Sequence, residues 1–600
     1  MTSIPDSPRK TFSKAWGVFA RIPERARPPA ADAAEESACA VSETAHADAP
    51  AVEAPAQEKP VTGAPEQRPD EGRRLSATVA ASAAISAQLK PSFAENCFNG
   101  LSYAAFLVLP LLVLAQFAVG LYALAPWLLP QEAGFAQAYE LMIASGHWLM
   151  APAALPPVWF WMLRLLNTLP YVDGPVVYTA GAALSGVLTL LATWFLALSA
   201  GYTRRTAFAS GLVLLSCLAF PALTYRVGPE LLCTGLLTLG LACLLRGWNK
   251  DISLLWLPLG CACVALAGLT GGVFGIMLPV FGSLVFLAWK GAFARFNRAD
   301  GAIGFAVLLA LPLVWLGAAM LFGPGDTHLR TLCAQLLAPF LPPYWPPKDP
   351  VWLYAAVLPL ALVPWILAPL FVSWGSALAR PFGLLASTRK ENSGSAWIWI
   401  HLAAGLLLLS GMSAKFCLNA LPLAPLLAIV LGKAIVNLPQ ANSRAFFLVL
   451  AGLFGLAALA LGLAALAQVW PLLQGLAPLP YPRGFTAIQG LPILAAICLL
   501  TAGALWKLVD RRFPGACLLV CAVAVTVLCL PARRLTAPGM QDVFLPAVQK
   551  SAPAAPAPGP PPVPAPTAEQ PEAKTPVPVQ EHAAPALAKP APEEKPAQNP

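Results

Sequence analysis

Between residues 96 and 530 the chain passes through one long apolar stretch after another, separated by short polar turns. An α-helix needs about 20 such residues to cross a hydrocarbon layer roughly 30 Å thick. In order, the stretches are 104–129, 176–200, 206–223, 229–246, 252–269, 272–289, 301–322, 351–373, 396–412, 416–436, 445–470, 485–507 and 513–530. The expected fold is therefore an all-α polytopic membrane protein with about thirteen spans. Composition agrees: the chain is 58% hydrophobic and 11% charged, with a mean hydropathy of +0.66, where a soluble chain is about a quarter charged. Little sequence is left outside the membrane, which excludes a soluble catalytic domain.

The flanks are of another kind. Residues 1–95 are rich in Ala, Pro, Glu and Ser, and residues 531–600 return to Pro, Ala and Glu. Such compositions bury too little apolar surface to offset the entropy of ordering, so both read as disordered tails around a membrane domain at 96–530. Arg9 to Arg27, with Trp16 and Phe19, has an amphipathic look, but a plain basic terminus accounts for it. No short apolar core with a cleavage site precedes the first span, so no removable signal is expected. The thirteen cysteines are scattered, mostly in apolar runs; Cys217, Cys233, Cys243, Cys498 and Cys529 read as small buried hydrophobes. Even Cys261 and Cys263 lack a His or second Cys pair nearby.

Charge gives the sidedness. The net +9 is spread singly between apolar runs, which does not make a nucleic-acid surface. Cytoplasmic loops collect Lys and Arg. With the N-terminus inside, the inner loops hold Arg204, Arg205, Arg246, Lys250, Lys290, Arg295, Arg298, Arg380, Arg389, Lys390, Lys433, Arg444, Lys507, Arg511 and Arg512. The outer loops hold Arg164, Arg226, Arg330, Lys348, Lys415 and Arg483. Arg533 and Arg534, after the last span, disagree. Two outer loops are long, 130–175 and 323–350, and both cluster Pro, aromatic and ionisable residues, which puts function on the outer, periplasm-like face. No internal repeat supports a transporter built from inverted halves.

The first outer loop carries Gln131, Glu132, Gln137, Glu140 and His147. Phe135, Ala138, Leu141 and Met142 recur at helical spacing, which predicts an amphipathic helix with its polar side toward a watery cavity. Near membrane depth, ionisable groups point to function. Besides Gln131 and Glu132, these are Glu230 with Arg226 and Tyr225 before the fourth span, and Lys415 between the ninth and tenth. A carboxylate there would serve as general base to an acceptor hydroxyl, and a Lys or Arg would hold a phosphate leaving group. The plainer alternative for Glu230, which follows Pro229, is an acid favoured in a helix's first turn. His147 and His328 are lone histidines without metal-ligand spacing. Gly271-Gly272 is a tight turn, too short to cradle a phosphate. Pro342-Pro343-Tyr344-Trp345-Pro346-Pro347 reads first as an interfacial aromatic belt and second as a groove wall.

Order carries more than any single residue. One long span is followed by an acidic amphipathic helix ending in Ser145-Gly146-His147-Trp148, then Leu155-Pro156-Pro157 before an aromatic helix. Further on come Pro229-Glu230-Leu231, Leu269-Thr270-Gly271-Gly272, Lys348-Asp349-Pro350-Val351-Trp352, Ala414-Lys415 and Leu421-Pro422-Leu423-Ala424-Pro425. Across roughly 100–440 this resembles the lipid A aminoarabinose transferases and the wider protein O-mannosyltransferase-like group of GT-C glycosyltransferases, which use polyprenyl-phosphate sugar donors. The chain departs from that pattern in places. Gln131 stands where the group has its catalytic Asp, Glu230 where it tends to have Asp, Gly271-Gly272-Val273 where it has Lys-Gly-Pro, and Asn419 where it has Tyr. Lys415 keeps the group's Lys.

The resemblance implies a GT-C-like bundle that moves a sugar from a polyprenyl phosphate to a lipid, lipid A-like, or protein acceptor on the periplasmic face of a bacterial inner membrane. It also implies roles. Glu132 or Glu230 is the base, Arg226 and Lys415 contact the phosphate, and Gln131 and Tyr344 complete the substrate-binding set. No cofactor is implied beyond the donor; a divalent metal is compatible, but no site for one is visible. Two alternatives stand beside it: a catalytically silent relative acting as a binding or assembly partner, suggested by Gln131, Gly271 and the tails, and, last, a transporter.

Overall fold

The computed structural model describes residues 93–122, 130–149, 155–170, 172, 175–223, 226–249, 253–322, 350–372, 393–412, 415, 417–469, 485–509 and 514–529; within these, the side chains of 93, 94, 118–133, 175, 222 and 467–489 are not described. The first tail up to residue 92, the whole of the second, Tyr225, the 323–349 part of the second long outer loop with His328 and Tyr344, and the cations at 250, 380, 389, 390, 511 and 512 lie outside them, while Phe93–Glu95, read as the end of the first tail, are helical. All the regular structure described is helical, as hydrocarbon demands: with no water present, each peptide group is served within its own helix.

In chain order the helices are α1 (Phe93–Tyr103), α2 (Ala105–Tyr122), α3 (Pro130–Ser145), α4 (Val158–Leu166), α5 (Pro175–Ser199), α6 (Arg204–Leu215), α7 (Ala219–Leu223), α8 (Glu230–Asn249), α9 (Trp256–Gly271), α10 (Phe274–Lys290), α11 (Ala299–Phe322), α12 (Leu353–Ala361), α13 (Ser393–Ser410), α14 (Ala424–Val436), α15 (Gln440–Val469) and α16 (Phe485–Val509). The last, α17, is Pro514–Cys529. Three 3-10 turns intervene at Phe293–Asn297, Trp365–Phe371 and Cys417–Leu423. Among the described residues seven helices are long and apolar enough to cross a membrane, and nine if each of two sharply bent pairs, α1 with α2 and α12 with Trp365–Phe371, makes one crossing. The expected thirteen stretches all carry helix. Those of α9, α10 and α17 fall short of that length, and the third breaks between α6 and α7 at Ser216. Thirteen crossings are thus not established.

The centre is the trio α5, α8 and α9. α8 packs along both neighbours, and small residues set the distance. A side chain on Gly235 would press Leu188 and the backbone of Thr189 at 3.0–3.1 Å; one on Gly260 would meet the backbone N of Leu244 at 2.9 Å. Polar groups inside are closed locally. Thr189 Oγ1 donates to Leu231 O across the α5–α8 contact at 3.0 Å, and buried Gln116 on α2 donates to Leu215 O and to Thr526 Oγ1 on α17. The rim is the reverse. α11, α15 and α16 turn most of their surface outward, with Leu321, Phe322, Leu456, Leu499 and Leu500 exposed. An apolar coat so wide has no place in water and suits lipid.

The bundle has two unlike ends. Asn249, closing α8, accepts from Lys290 Nζ, closing α10, and from Ser393 Oγ, opening α13. The same end gathers Arg246, which donates to Ser199 Oγ and lies 4.2 Å from the Phe195 ring, and Lys433, 5.0 Å from the Tyr202 ring. There too Arg205 pairs with Glu95 and so ties α1 to α6. Asp300 at the start of α11 accepts from Ser253 N and Gly301 N, an acid placed where a helix N-terminus favours it. The opposite end starts with Glu230. α13 rises about 27 Å over its eighteen residues, so Lys415 beyond it returns to the Glu230 end. The loops read as inner and outer are therefore sorted onto opposite ends wherever they are described.

Gly394 tests the packing. A Cβ there would collide with the backbone of Ala200, whereas one on Gly452, on the outer face of α15, meets nothing within 4 Å. Gly394→Val should cost about 1–3 kcal/mol or more as overpacking and lower the melting temperature in detergent by several degrees. Gly452→Val should leave it unmoved.

Candidate functional site

At the Glu230 end, α3 and α4 lie over the mouths of α5 and α8. The Ser145-Gly146-His147-Trp148 motif works by geometry. Gly146 ends α3 in the left-handed region (φ 69°), a conformation side chains resist, and its N donates to Met142 O at 3.0 Å. The backbone after it is pinned twice: Trp161 Nε1 donates to Trp148 O and Trp315 Nε1 to Leu149 O, both at 2.7 Å. The Arg164 guanidinium sits 4.9 Å over the Trp148 ring. His147 is exposed, as its lack of ligand spacing suggests.

α3 buries one side but is not the amphipathic helix expected, since apolar Leu141 and Ile143 stand exposed on the other; its inward stripe is Phe135, Ala138, Tyr139 and Met142 rather than one including Leu141. Leu141 stands 47% exposed, because at 100° per residue 135, 138, 139 and 142 share a face and 141 falls off it. That stripe packs with Trp159, Phe160, Leu163, Tyr178, Val227 and Leu232, a small aromatic core distinct from the main one. It fastens the first loop to the start of α5 and to the 226–232 turn. Tyr178 Oη donates to Glu140 Oε1 at 3.2 Å. Burial pushes the Tyr139 phenol upward; the nearby Arg164 charge opposes and that of Glu140 adds. The Glu140–Tyr178 link and the Arg164–Trp148 stack were not legible beforehand. Their partners are 38 and 16 residues apart in the chain, and nothing local marks them.

Glu230 opens α8, as the Pro229 before it predicts. Its carboxylate folds back over Gly228, where a Cβ would strike Oε2, and Arg226 is close enough to act on it electrostatically. Three residues into the helix, Cys233 Sγ meets the α9–α10 turn. A Cβ on Gly271 would run into that sulfur, and Gly272 turns the chain at φ 82°. Leu269-Thr270-Gly271-Gly272 is thus a tight turn held against the first coil of α8. Lys415 is buried, 9% exposed, at the start of the Cys417–Leu423 turn that packs on α8. The structure therefore gathers Arg226, Glu230, Lys415 and the first-loop helices at one end of the bundle. Gln131 and Glu132 fall in the first turn of α3, at this end, with their side chains outside the described residues; Tyr344 lies wholly outside them. Among the described residues no three His, Cys, Asp or Glu come together as metal ligands would.

No family model matches the chain. It is 26% identical over 341 residues to the undecaprenyl phosphate-alpha-4-amino-4-deoxy-L-arabinose arabinosyl transferase of Erwinia tasmaniensis. That match takes in 53% of this chain and 57% of the relative, so the chain spans little more than half the relative's length. Two crystal structures of ArnT from Cupriavidus metallidurans are similar to it. The one bound to undecaprenyl phosphate superposes with a TM-score of 0.55 at 18% identity over 76% of this chain and 80% of that one. The apo form does so with 0.54 at 19% over 75% and 79%.

The Gly271–Cys233 contact predicts a coupled pair. Gly271→Ala alone should destabilise by about 1–3 kcal/mol, and Cys233→Ala should recover part of that in a double-mutant cycle read by thermal melting. The motif order read from the sequence and the course of the helices agree: the chain has the GT-C fold of the lipid A aminoarabinose transferases.

Proposed function

We propose that this protein is an integral membrane glycosyltransferase. It moves a sugar from a polyprenyl-phosphate donor to a lipid, lipid A-like, or protein acceptor at the periplasmic face of a bacterial inner membrane, with its N-terminus in the cytoplasm. The observation that supports this is that Glu230, Arg226 and buried Lys415 fall at one end of the bundle, the end of α3 and α4, on a fold shared with a structure that holds undecaprenyl phosphate. The named activity of the Erwinia relative points the same way.

In this reading the carrier's phosphate sits against Arg226 and Lys415, whose charges stabilise it as it leaves. The acceptor oxygen attacks the anomeric carbon, the bond from that carbon to the phosphate oxygen breaks, and the acceptor proton passes to a carboxylate. Glu132 and Glu230 are the two carboxylates for that role, because the amide of Gln131 takes no proton at neutral pH. Gln131 and Tyr344 complete the binding set, and α3 with α4 shields the reacting groups from bulk water. Membrane lipids and the lipid carrier are the partners; nucleic acid is not.

A second reading, a relative that binds without transferring, draws on Gln131 and on the Gly271–Cys233 contact, which leaves no room for a long side chain in that turn. Single substitutions separate the two. Glu132→Gln and Glu230→Gln are made in cells, with membrane insertion checked, and polyprenyl-phosphate sugars and outer-face acceptors are followed by mass spectrometry. Loss of general-base help lowers transfer about 10²-fold or more in at least one variant, with the sugar carrier accumulating. Lys415→Gln should weaken transfer while Lys415→Arg keeps part of it. Normal acceptor modification in both acid variants, with loss only on tail deletion, would establish the binding reading instead. Reporter fusions at 300 and at 147 check orientation: cytoplasmic activity at the first and periplasmic at the second are expected.

A further inference from the structure

At the other end of the bundle, a cavity of about 260 Å³ opens between the α5–α6 turn, α13 and α14. Its walls bring together Tyr202, Ser395, Trp399, Val430, Lys433 and Asn437. The cation is the notable part. Lys433 is half-buried in the last turn of α14, and among the described residues no carboxylate is recorded in an ion pair with it. Its Nζ lies 5.0 Å from the Tyr202 ring, whose face attracts cations and holds it in place. Burial pushes the Tyr202 phenol upward, and neighbouring Ser395 opposes this. Asn437 adds an exposed amide at the rim, and Trp399, 52% exposed, stands with Val430 on the apolar side.

We propose that this cavity binds the phosphodiester headgroup of an anionic membrane phospholipid. Lys433 supplies the charge, Tyr202, Ser395 and Asn437 supply hydrogen-bond donors, and an acyl chain runs out along Trp399 and Val430. Basic pockets between helices at the membrane surface are suited to such headgroups, since a desolvated cation gains most from a fixed counter-charge. The location fits the chemistry. This is the end where the bundle's cations collect, and the cavity's walls come from three elements held by close contacts, α13 against the backbone of Ala200 at Gly394 and α14 against Ser210 at Gly432. The proposal does not rest on the transfer reading, because its readout is lipid retention.

The full chain, purified in a neutral detergent, is given equal concentrations of phosphatidylglycerol or phosphatidylcholine and examined by native mass spectrometry and thermal melting. One phosphatidylglycerol should be retained and should raise the melting temperature, phosphatidylcholine should do neither, and excess inorganic phosphate should not displace the lipid. Retention should fall about fivefold or more in Lys433→Gln and survive in Lys433→Arg. If Lys433→Gln is not recovered folded, Asn437→Ala on the exposed rim is the second variant, with a smaller loss expected. Equal retention of both lipids, retention indifferent to both substitutions, or full displacement by inorganic phosphate would overturn the proposal, the last by making the ligand a free anion.

Discussion

Everything in this bundle depends on how closely α5, α8 and α9 can approach. Lipid tails are as apolar as leucine, so burying leucines does not hold such helices together; contact distance and internal hydrogen bonds do. Gly235 and Gly260 let backbones come within a side chain's width of one another, and the Thr189 hydroxyl is shared between the carbonyl of Ser185 in its own helix and that of Leu231 in α8. The centre is therefore a stiff plate of three helices. The others, down to the lipid-facing hairpin of α15 and α16, are added around it.

A stiff centre makes the ends meaningful. Each helix delivers its terminal residues to one of two surfaces, and hydrocarbon between them forbids charge. The ionisable groups must therefore collect where water is. One surface took the cations that close α8, α10 and α14. The other took Glu230, Arg226 and Lys415, together with two short helices that contribute no crossing. Those short helices are fastened by aromatic rings and by two indole donors reaching backbone carbonyls. Loop backbone at the edge of a membrane has few water partners, and Trp161 and Trp315 supply what water would.

Much of this was legible in the chain. Each apolar run carries helix where it is described, because about 20 apolar residues leave a segment no other stable home; α1, which lies ahead of the first run, was not anticipated. The Ser-Gly-His-Trp stretch and Pro229-Glu230 marked a helix end and a helix start for local reasons, a left-handed glycine and a proline that opens a first turn. The face of α3 was misread at Leu141, because alanines and a tyrosine made the true stripe and look less apolar in the sequence. The thirteen crossings expected from hydropathy are not established among the described residues. α9, α10 and α17 stop short of a full span and the third stretch breaks at Ser216, none of which hydropathy can register.

The sequence by itself determined that the chain is a helical membrane bundle, which segments form it and how its charges divide between two faces. These follow from residue-by-residue transfer between water and hydrocarbon. Only the tertiary structure decided which residues meet: Tyr178 with Glu140, Cys233 with the Gly271 turn, Lys433 with Tyr202 and Ser395. Such contacts join residues tens to hundreds of positions apart, and their geometry is set by glycine-sized approaches between helices. A side chain's identity says what it is able to bind; the packing of its helix says what it is given.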